Sequence, residues 1–261
     1  MRAVTRIRHD YHTHSTYSDG SFLWSMVGAA AETGLDGIGI TDHCNVSAGA
    51  DHDRRKKVMG FNLDQTFERR REGIEAVRER FDVDVHDAVE MDYEPDDEAA
   101  VADFLETADF DYAIGSVHYL DGVNVHFGSY FAEKSRAERR ELVDRYFEKL
   151  VALVESELFE IAAHPDLFER TPELRGLATD DHYHAVAEAF RSSRTVPELN
   201  AGRALDTYGE FHPAPRFIEV LLDHDVRFTI GTDSHDPGEI EPRIEAMEEL
   251  CERHGIEPEL F

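Results

Sequence analysis

The chain has 261 residues, 41% of them apolar, and a formal net charge of −29, enough for one large α/β core but with no run approaching the roughly 18 apolar residues of a membrane span. Basic residues are nearly all arginine, with lysine only at Lys56, Lys57, Lys134 and Lys149, and Asp and Glu spread over every segment, so a nucleic-acid partner, which needs clustered cations, is not expected. Met1 to Arg6 runs into a strand without the apolar region of a signal peptide, and Cys44 and Cys251 stand too far apart for a thiolate zinc module, so a cytoplasmic, single-domain protein over residues 1–261 is expected.

Strand and helix patterns then alternate. Ile7 to Tyr11 reads as a strand, Phe22 to Glu32 as an apolar helix, and Asp36 to Thr41 as a short buried strand. The polar stretch Asn45 to Gly60 reads as a long loop over a pocket. Leu63 to Phe81 is a helix whose Arg and Glu residues are expected on a solvated surface. Val83 to Val89 is a strand, and Asp97 to Thr107 a helix. Tyr112 to Val117 is the next strand, followed by a loop over 119–134 and a long helix from Ser135 to Glu155. Strands at Phe159 to Ala163, Thr195 to Asn200 and Arg227 to Gly231 alternate with helices at Asp180 to Arg191, Pro215 to Asp223 and Ile240 to Arg253. Seven strands alternating with helices imply an α/β fold, a distorted seven-stranded (β/α) barrel one unit short of the usual eight.

Potential metal ligands stand where these strands end: His12-Thr13-His14 with Asp19, Asp42-His43, Glu90, His118 with His164, and Asp233-Ser234-His235. Strand alternation puts His12 and His14 on one side of the chain, and strand ends of a (β/α) barrel meet at one face. The pattern therefore points to a polynuclear metal site. Asp42 and Asp92 read as hydrogen-bonding supports for ligands. The histidines outside these motifs, at 9, 52, 86, 126, 182, 184, 224 and 254, read as surface residues, although His126 and His212 fall in loops that overhang the expected pocket.

As a set these residues resemble the polymerase and histidinol phosphatase (PHP) family, and more narrowly its histidinol-phosphate phosphatases. The narrower likeness rests on Glu90-Met91-Asp92-Tyr93, Asp111 to Tyr119, His164-Pro165-Asp166-Leu167, and Glu198-Leu199-Asn200 ahead of Gly231 to His235. The resemblance implies three divalent ions, zinc, manganese or iron. One would be held by His12, His14, Glu90 and Asp233, a second by Glu90, His118 and His164, and a third by Asp19, His43 and His235. Three such ions against three carboxylates and a hydroxide leave about +2 in the pocket, which suits a phosphate dianion. The reaction implied is hydrolysis of a small phosphomonoester, L-histidinol phosphate in histidine biosynthesis, with a hydroxide bridging two metals attacking phosphorus. Asp166 and His235 are candidates for the proton to the leaving group. Arg203 is the first candidate for binding phosphate, although it stands two positions earlier relative to Glu198 than in related chains, and Arg170 is the second. Asp51, Asp53 and Asp121 are candidates for recognising the substrate's cationic groups. The rivals are a nuclease or nucleotide phosphatase of the same family, which would want a basic or aromatic track, and a non-enzymatic metal-binding regulatory module, which would have lost ligands.

The acidity also resembles that of proteins from salt-loving organisms, where at about 1 M salt the Debye length falls to roughly 3 Å and self-repulsion is screened. The melting temperature is expected to rise between dilute and molar potassium chloride; indifference to salt would remove this reading.

Overall fold

The computed structural model describes residues 6–47 and 49–261, and the side chains of 50–53 and 55 lie outside what it describes. Strand β1 (His9–Thr13) is followed by helix α1 (Leu23–Thr33), β2 (Gly37–Ile40), the short β3 (His43–Cys44), α2 (Ala50–Met59), α3 (Leu63–Arg78), β4 (Asp84–Asp87) and β5 (Val89–Asp92). Next come α4 (Glu98–Ala108), β6 (Ala113–Ser116), the hairpin β7 (Tyr119–Leu120) and β8 (Val123–Asn124), α5 (Gly128–Ala132) and α6 (Arg136–Glu155). The chain ends with β9 (Ile161–Ala162), α7 (Asp180–Arg191), β10 (Val196–Asn200), α8 (Pro215–Asp223), β11 (Thr229–Gly231) and α9 (Pro237–His254).

The fold is α/β with parallel sheets. One sheet has the order β1-β2-β4 and a second the order β11-β10-β9-β6-β5-β3. The two sheets share strand paths. β2 runs through Thr41 and Asp42 into β3, β4 runs through Ala88 into β5, and the hydrogen bonds Ala88 N to Ile40 O (3.1 Å) and Glu90 N to Thr41 O (3.1 Å) carry the pairing across both breaks. At the far edge the chain just past β11 bonds to β1, with Asp233 N donating to His12 O (2.8 Å) and His14 N to Ser234 O (2.9 Å). Buried Asp10 reinforces this join by accepting from Thr232 N (2.9 Å) and Thr232 Oγ1 (2.6 Å). Among the described residues no helix is long and apolar enough to cross a membrane.

Two expected loops contain regular structure. Residues 45–60 include α2, entered from Gly49 in an extended conformation and ended by Gly60 in the left-handed region, where its N–H donates to Lys56 O. Helices commonly stop on such a glycine, so the terminator was readable although the polar stretch has no apolar period. The side chains of Asp51, Asp53 and His52 lie outside the described set. Residues 119–134 carry the β7–β8 hairpin and α5, and Asp121 there points to Arg145 (2.8 Å) at the surface.

The charged helix α3 is also not wholly solvated. Arg70 is fully buried and donates to Asp42 Oδ2 (3.1 Å), Asp87 Oδ1 (2.6 Å) and the Ala88 carbonyl. Asp42 in turn accepts from Ser15 N (2.7 Å), Ser15 Oγ (2.8 Å) and Ser18 Oγ (2.9 Å). The guanidinium thus ties the helix to both strand breaks and to the turn after β1. Removing one partner of a buried ion pair typically costs about 3–5 kcal/mol. Arg70→Leu is therefore expected to lower unfolding stability by about that amount in urea titrations, and a loss under about 1 kcal/mol would show that the network is not a structural anchor.

Candidate metal centre

The parity of β1 puts Asp10, His12 and His14 on its inner side, and the parallel register sets His43 directly beside Glu90 on the neighbouring strand. His118 follows β6, His164 follows β9, and Asp233 and His235 follow β11. All nine expected ligands gather at the carboxyl ends of the strands. Seven of them, Asp19, His43, Glu90, His118, His164, Asp233 and His235, line a cavity of about 290 Å³, with His12 and His14 buried beneath it.

Glu90 is the centre. It is 1% exposed, and five imidazoles, those of His12, His14, His43, His118 and His164, come within 3.5 Å of its oxygens. Its Oε1 accepts from Ser116 Oγ (2.5 Å), while Oε2 is buried with no aligned hydrogen bond, His43 Nδ1 standing 2.8 Å away. A carboxylate oxygen in that position is costly unless a cation satisfies it.

The donor set fits divalent metal. His12 Nε2 and His14 Nε2 are 3.1 Å apart and lie 3.3 and 3.5 Å from Glu90 Oε2 and 3.8 and 3.4 Å from Asp233 Oδ1. Ligand bonds of about 2.0–2.2 Å in a tetrahedron put donors roughly 3.3–3.6 Å apart, so this is the spacing of one coordination shell. Asp19 Oδ1 lies 3.9 Å from His14, 3.7 Å from His43 and 3.3 Å from His235, a second group of the same kind. In the third, Glu90 Oε1 lies 3.4 Å from His118 and 3.0 Å from His164. His43 departs from the expected partition, since its Nδ1 also lies 2.8 Å from Glu90 Oε2 and it belongs to both the Asp19 and the Glu90–His118 groups.

Other carboxylates hold these rings in place. His12 Nδ1 is 2.7 Å from Glu198 Oε1, and His118 Nδ1 is 2.5 Å from Asp92 Oδ1. With Nδ1–H donating, each Nε2 lone pair is turned toward Glu90. Glu198, fully buried on β10, also accepts from the His164 backbone N–H (3.1 Å). Sequence reading gave Glu198 and Asp10 no role, though Glu198 is a carboxylate inside a buried strand, which is a usable signal. Gly231 is required beside them, because a Cβ there would strike Glu198 Oε1. His164 and Asp233 adopt positive φ values of 26° and 53°, strained for non-glycine residues.

Burial opposes ionisation of Glu90 and Asp233. Nevertheless His43, His12 and His118 around the first, and His12, His14 and His235 around the second, hold both carboxyls well below their ordinary range. Burial together with His235 and His43 pushes His14 down to about 4, leaving it neutral, the form that binds metal.

Two expectations are corrected. Asp166 does not line the cavity: it is fully buried, with Oδ1 2.5 Å from His212 Nδ1 and Oδ2 accepting from Ala214 N (2.7 Å), and burial lifts its pKa to about 7. The short 3₁₀ turn that follows it turns this carboxyl inward. Arg203 reaches the rim, but its side chain is 57% exposed and paired with Asp206 (3.0 Å). Arg170 is the ordered cation, 12% exposed and 3.2 Å from Asp233 Oδ2. His126, expected at the surface in a loop over the pocket, is exposed and lines the cavity.

Known proteins resemble this chain in sequence and in fold. A probable histidinol-phosphatase from Deinococcus radiodurans is 29% identical over 232 residues, covering 87% of this chain and 85% of that protein. The histidinol phosphate phosphatase of Lactococcus lactis, solved with zinc, L-histidinol and phosphate, is 21% identical, covers 95% of this chain and 94% of its own, and superposes with a TM-score of 0.74. A chain in the structure of an archaeal ribonuclease P with mature tRNA, 13% identical over 94% of this chain and 93% of its own, reaches 0.50, so this fold alone does not fix a reaction. The PHP domain model matches residues 10–202, the span that carries β1 through β10 and seven of the nine clustered ligands, and the chain belongs to the PHP domain family.

Proposed function

We propose that this protein is a metal-dependent phosphoesterase that hydrolyses L-histidinol phosphate to L-histidinol and phosphate. The observation that carries the reading is the buried Glu90 carboxylate, approached by imidazole nitrogens of three metal-ligand groups and by no aligned hydrogen-bond donor at Oε2. We also read the strands as a single distorted seven-stranded barrel over residues 1–261, a reading supported by the bonds between the chain after β11 and β1.

In this reading His12, His14, Glu90 and Asp233 hold one divalent ion, Glu90, His118 and His164 a second, and Asp19, His43 and His235 a third. Nitrogen and oxygen donors admit zinc, manganese or iron. Bound ions of this kind polarise phosphoryl oxygens and bring the pKa of water toward neutrality. The protein's own part is to neutralise and orient. Arg170 presents a guanidinium to the phosphate, and Glu198 and Asp92 keep ligand rings in register. An apolar annex of about 430 Å³ shares Met59, Phe61, Tyr119 and Asn124 with the metal cavity and suits a compact ring on the leaving group. The small cavity and the net charge of −29 favour a small phosphomonoester over nucleic acid.

Chelator-treated protein is expected to melt lower than protein resupplied with manganese or zinc, by about 4 kcal/mol of stability at a thousandfold excess over Kd. Glu90→Gln should bind fewer ions per chain by elemental analysis, and full stoichiometry in that variant would remove Glu90 as a shared ligand. Phosphate release from histidinol phosphate, set against nucleotide, sugar and aryl phosphates, should show a strong, chelator-sensitive preference for histidinol phosphate. Equal or better turnover of nucleotides would keep the metal chemistry and overturn the substrate.

A further inference from the structure

Arg170 is held by a side chain that belongs to none of the metal groups. His212 lies in the connection between β10 and α8, fully buried, with its backbone N–H donating to Asn200 O (3.0 Å) and its carbonyl accepting from Asn200 N (2.7 Å). Its ring stacks on Tyr208, with centroids 5.0 Å apart and planes at 11°. His212 Nδ1 faces Asp166 Oδ1 at 2.5 Å, and its Nε2 accepts from Arg170 Nε at 2.9 Å.

These contacts fix the tautomer. An arginine Nε–H can only donate, so His212 Nε2 must present its lone pair and Nδ1 must carry the proton, which it gives to Asp166. Arg170 Nη2 donates to Asn200 Oδ1 and Asp233 Oδ2, both at 3.2 Å. The two hydrogens of Nη1 meet no protein acceptor among the described residues, and Arg170 lines the cavity.

We propose that His212, oriented by Asp166, is the positioning residue that aims the Arg170 guanidinium at the phosphoryl group. The inference rests on the reading of Arg170 as the phosphate-binding cation. An imidazole suits the task because it is a neutral acceptor. A carboxylate at the same place would pair with the guanidinium and cancel the charge that a phosphate dianion needs, whereas His212 occupies Nε and stands between Arg170 and the Asp166 carboxylate. Without that acceptor the guanidinium is free to turn and pair with Asp233 through two N–H groups, which Arg–carboxylate geometry favours, and its open edge is lost. Gly202 leaves the space for this packing, since a Cβ there would strike Asp233 and come within 2.8 Å of Arg170 Nη2.

The test is a double-mutant cycle on the metal-loaded enzyme, read by inhibition with inorganic phosphate, by kcat and KM separately, and by bound metal per chain. His212→Phe is expected to weaken phosphate inhibition and kcat/KM at least tenfold with metal content unchanged, and to add nothing further in an Arg170→Ala background. His212→Gln, which keeps an acceptor near the Nε2 position, should recover most of the loss. Additive losses in the double variant would overturn the proposal while leaving Arg170 as a phosphate ligand. An Arg170→Ala enzyme with unaltered phosphate inhibition would instead overturn the reading beneath it. Nitrogen-15 spectra of the unmutated protein give a check that does not depend on any variant folding: the Nδ1–H form of His212 is expected, and an Nε2–H form excludes the arrangement.

Discussion

A carboxylate with 1% exposure at the meeting point of parallel strands has to be compensated, and most of this site follows from how Glu90 is compensated. Almost none of it is open to bulk water, and Ser116 satisfies only one oxygen. The remaining negative charge is faced by imidazoles arriving from β1, β3, β6 and β9; burial opposes their protonation, but Glu90 raises His12 and His43, so these rings either carry protons as counter-ions or offer lone pairs to a bound cation. A divalent cation between the acid and the rings would satisfy all of these groups at once without protons on the imidazoles. The same constraint explains why His164 and Asp233 tolerate left-handed backbone conformations at the strand ends.

The histidines are themselves held by a second set of carboxylates placed behind them. Glu198 behind His12 and Asp92 behind His118 follow one rule: the acid accepts from Nδ1–H and so directs Nε2 inward. Asp166 behind His212 applies that rule to a ring that contacts an arginine instead of a ligand group. Asp42 works by another route, fastening the turn after β1 through Ser15 and Ser18 and taking its own countercharge from Arg70. The buried acids are therefore matched one by one, while most of the chain's net charge of −29 is carried at the surface, where solvent and salt screen it.

Much of the site was legible because strand parity and strand ends are periodic features of a sequence. The i, i+2 spacing of His12 and His14 dictates a shared side, and Glu90, His118, His164 and Asp233 each follow an apolar run. The illegible part concerned direction across the fold. Nothing local distinguishes Arg70, drawn into the interior by Asp42 and Asp87, from its neighbours on α3 that remain in water. Asp166 stands two residues after a ligand and so seemed destined for the pocket, yet the turn that follows His164 swings it to the far side of His212. The chain puts Arg203 ahead of Arg170, whereas the folded partners leave Arg203 exposed beside Asp206 and hold Arg170 beside Asp233.

The sequence by itself determined the alternation of strands and helices, the candidate ligand set and its position at the strand ends, since these depend on short-range periodicity and on residue type. Only the tertiary structure decided that His43 stands against Glu90 as well as Asp19, that Glu198 and Asp10 brace the first strand, and that Arg170 rather than Arg203 is the immobilised cation. Those outcomes depend on which segments become neighbours after folding, such as the 42-residue separation that closes to 2.9 Å between Arg170 and His212, and no local pattern encodes them.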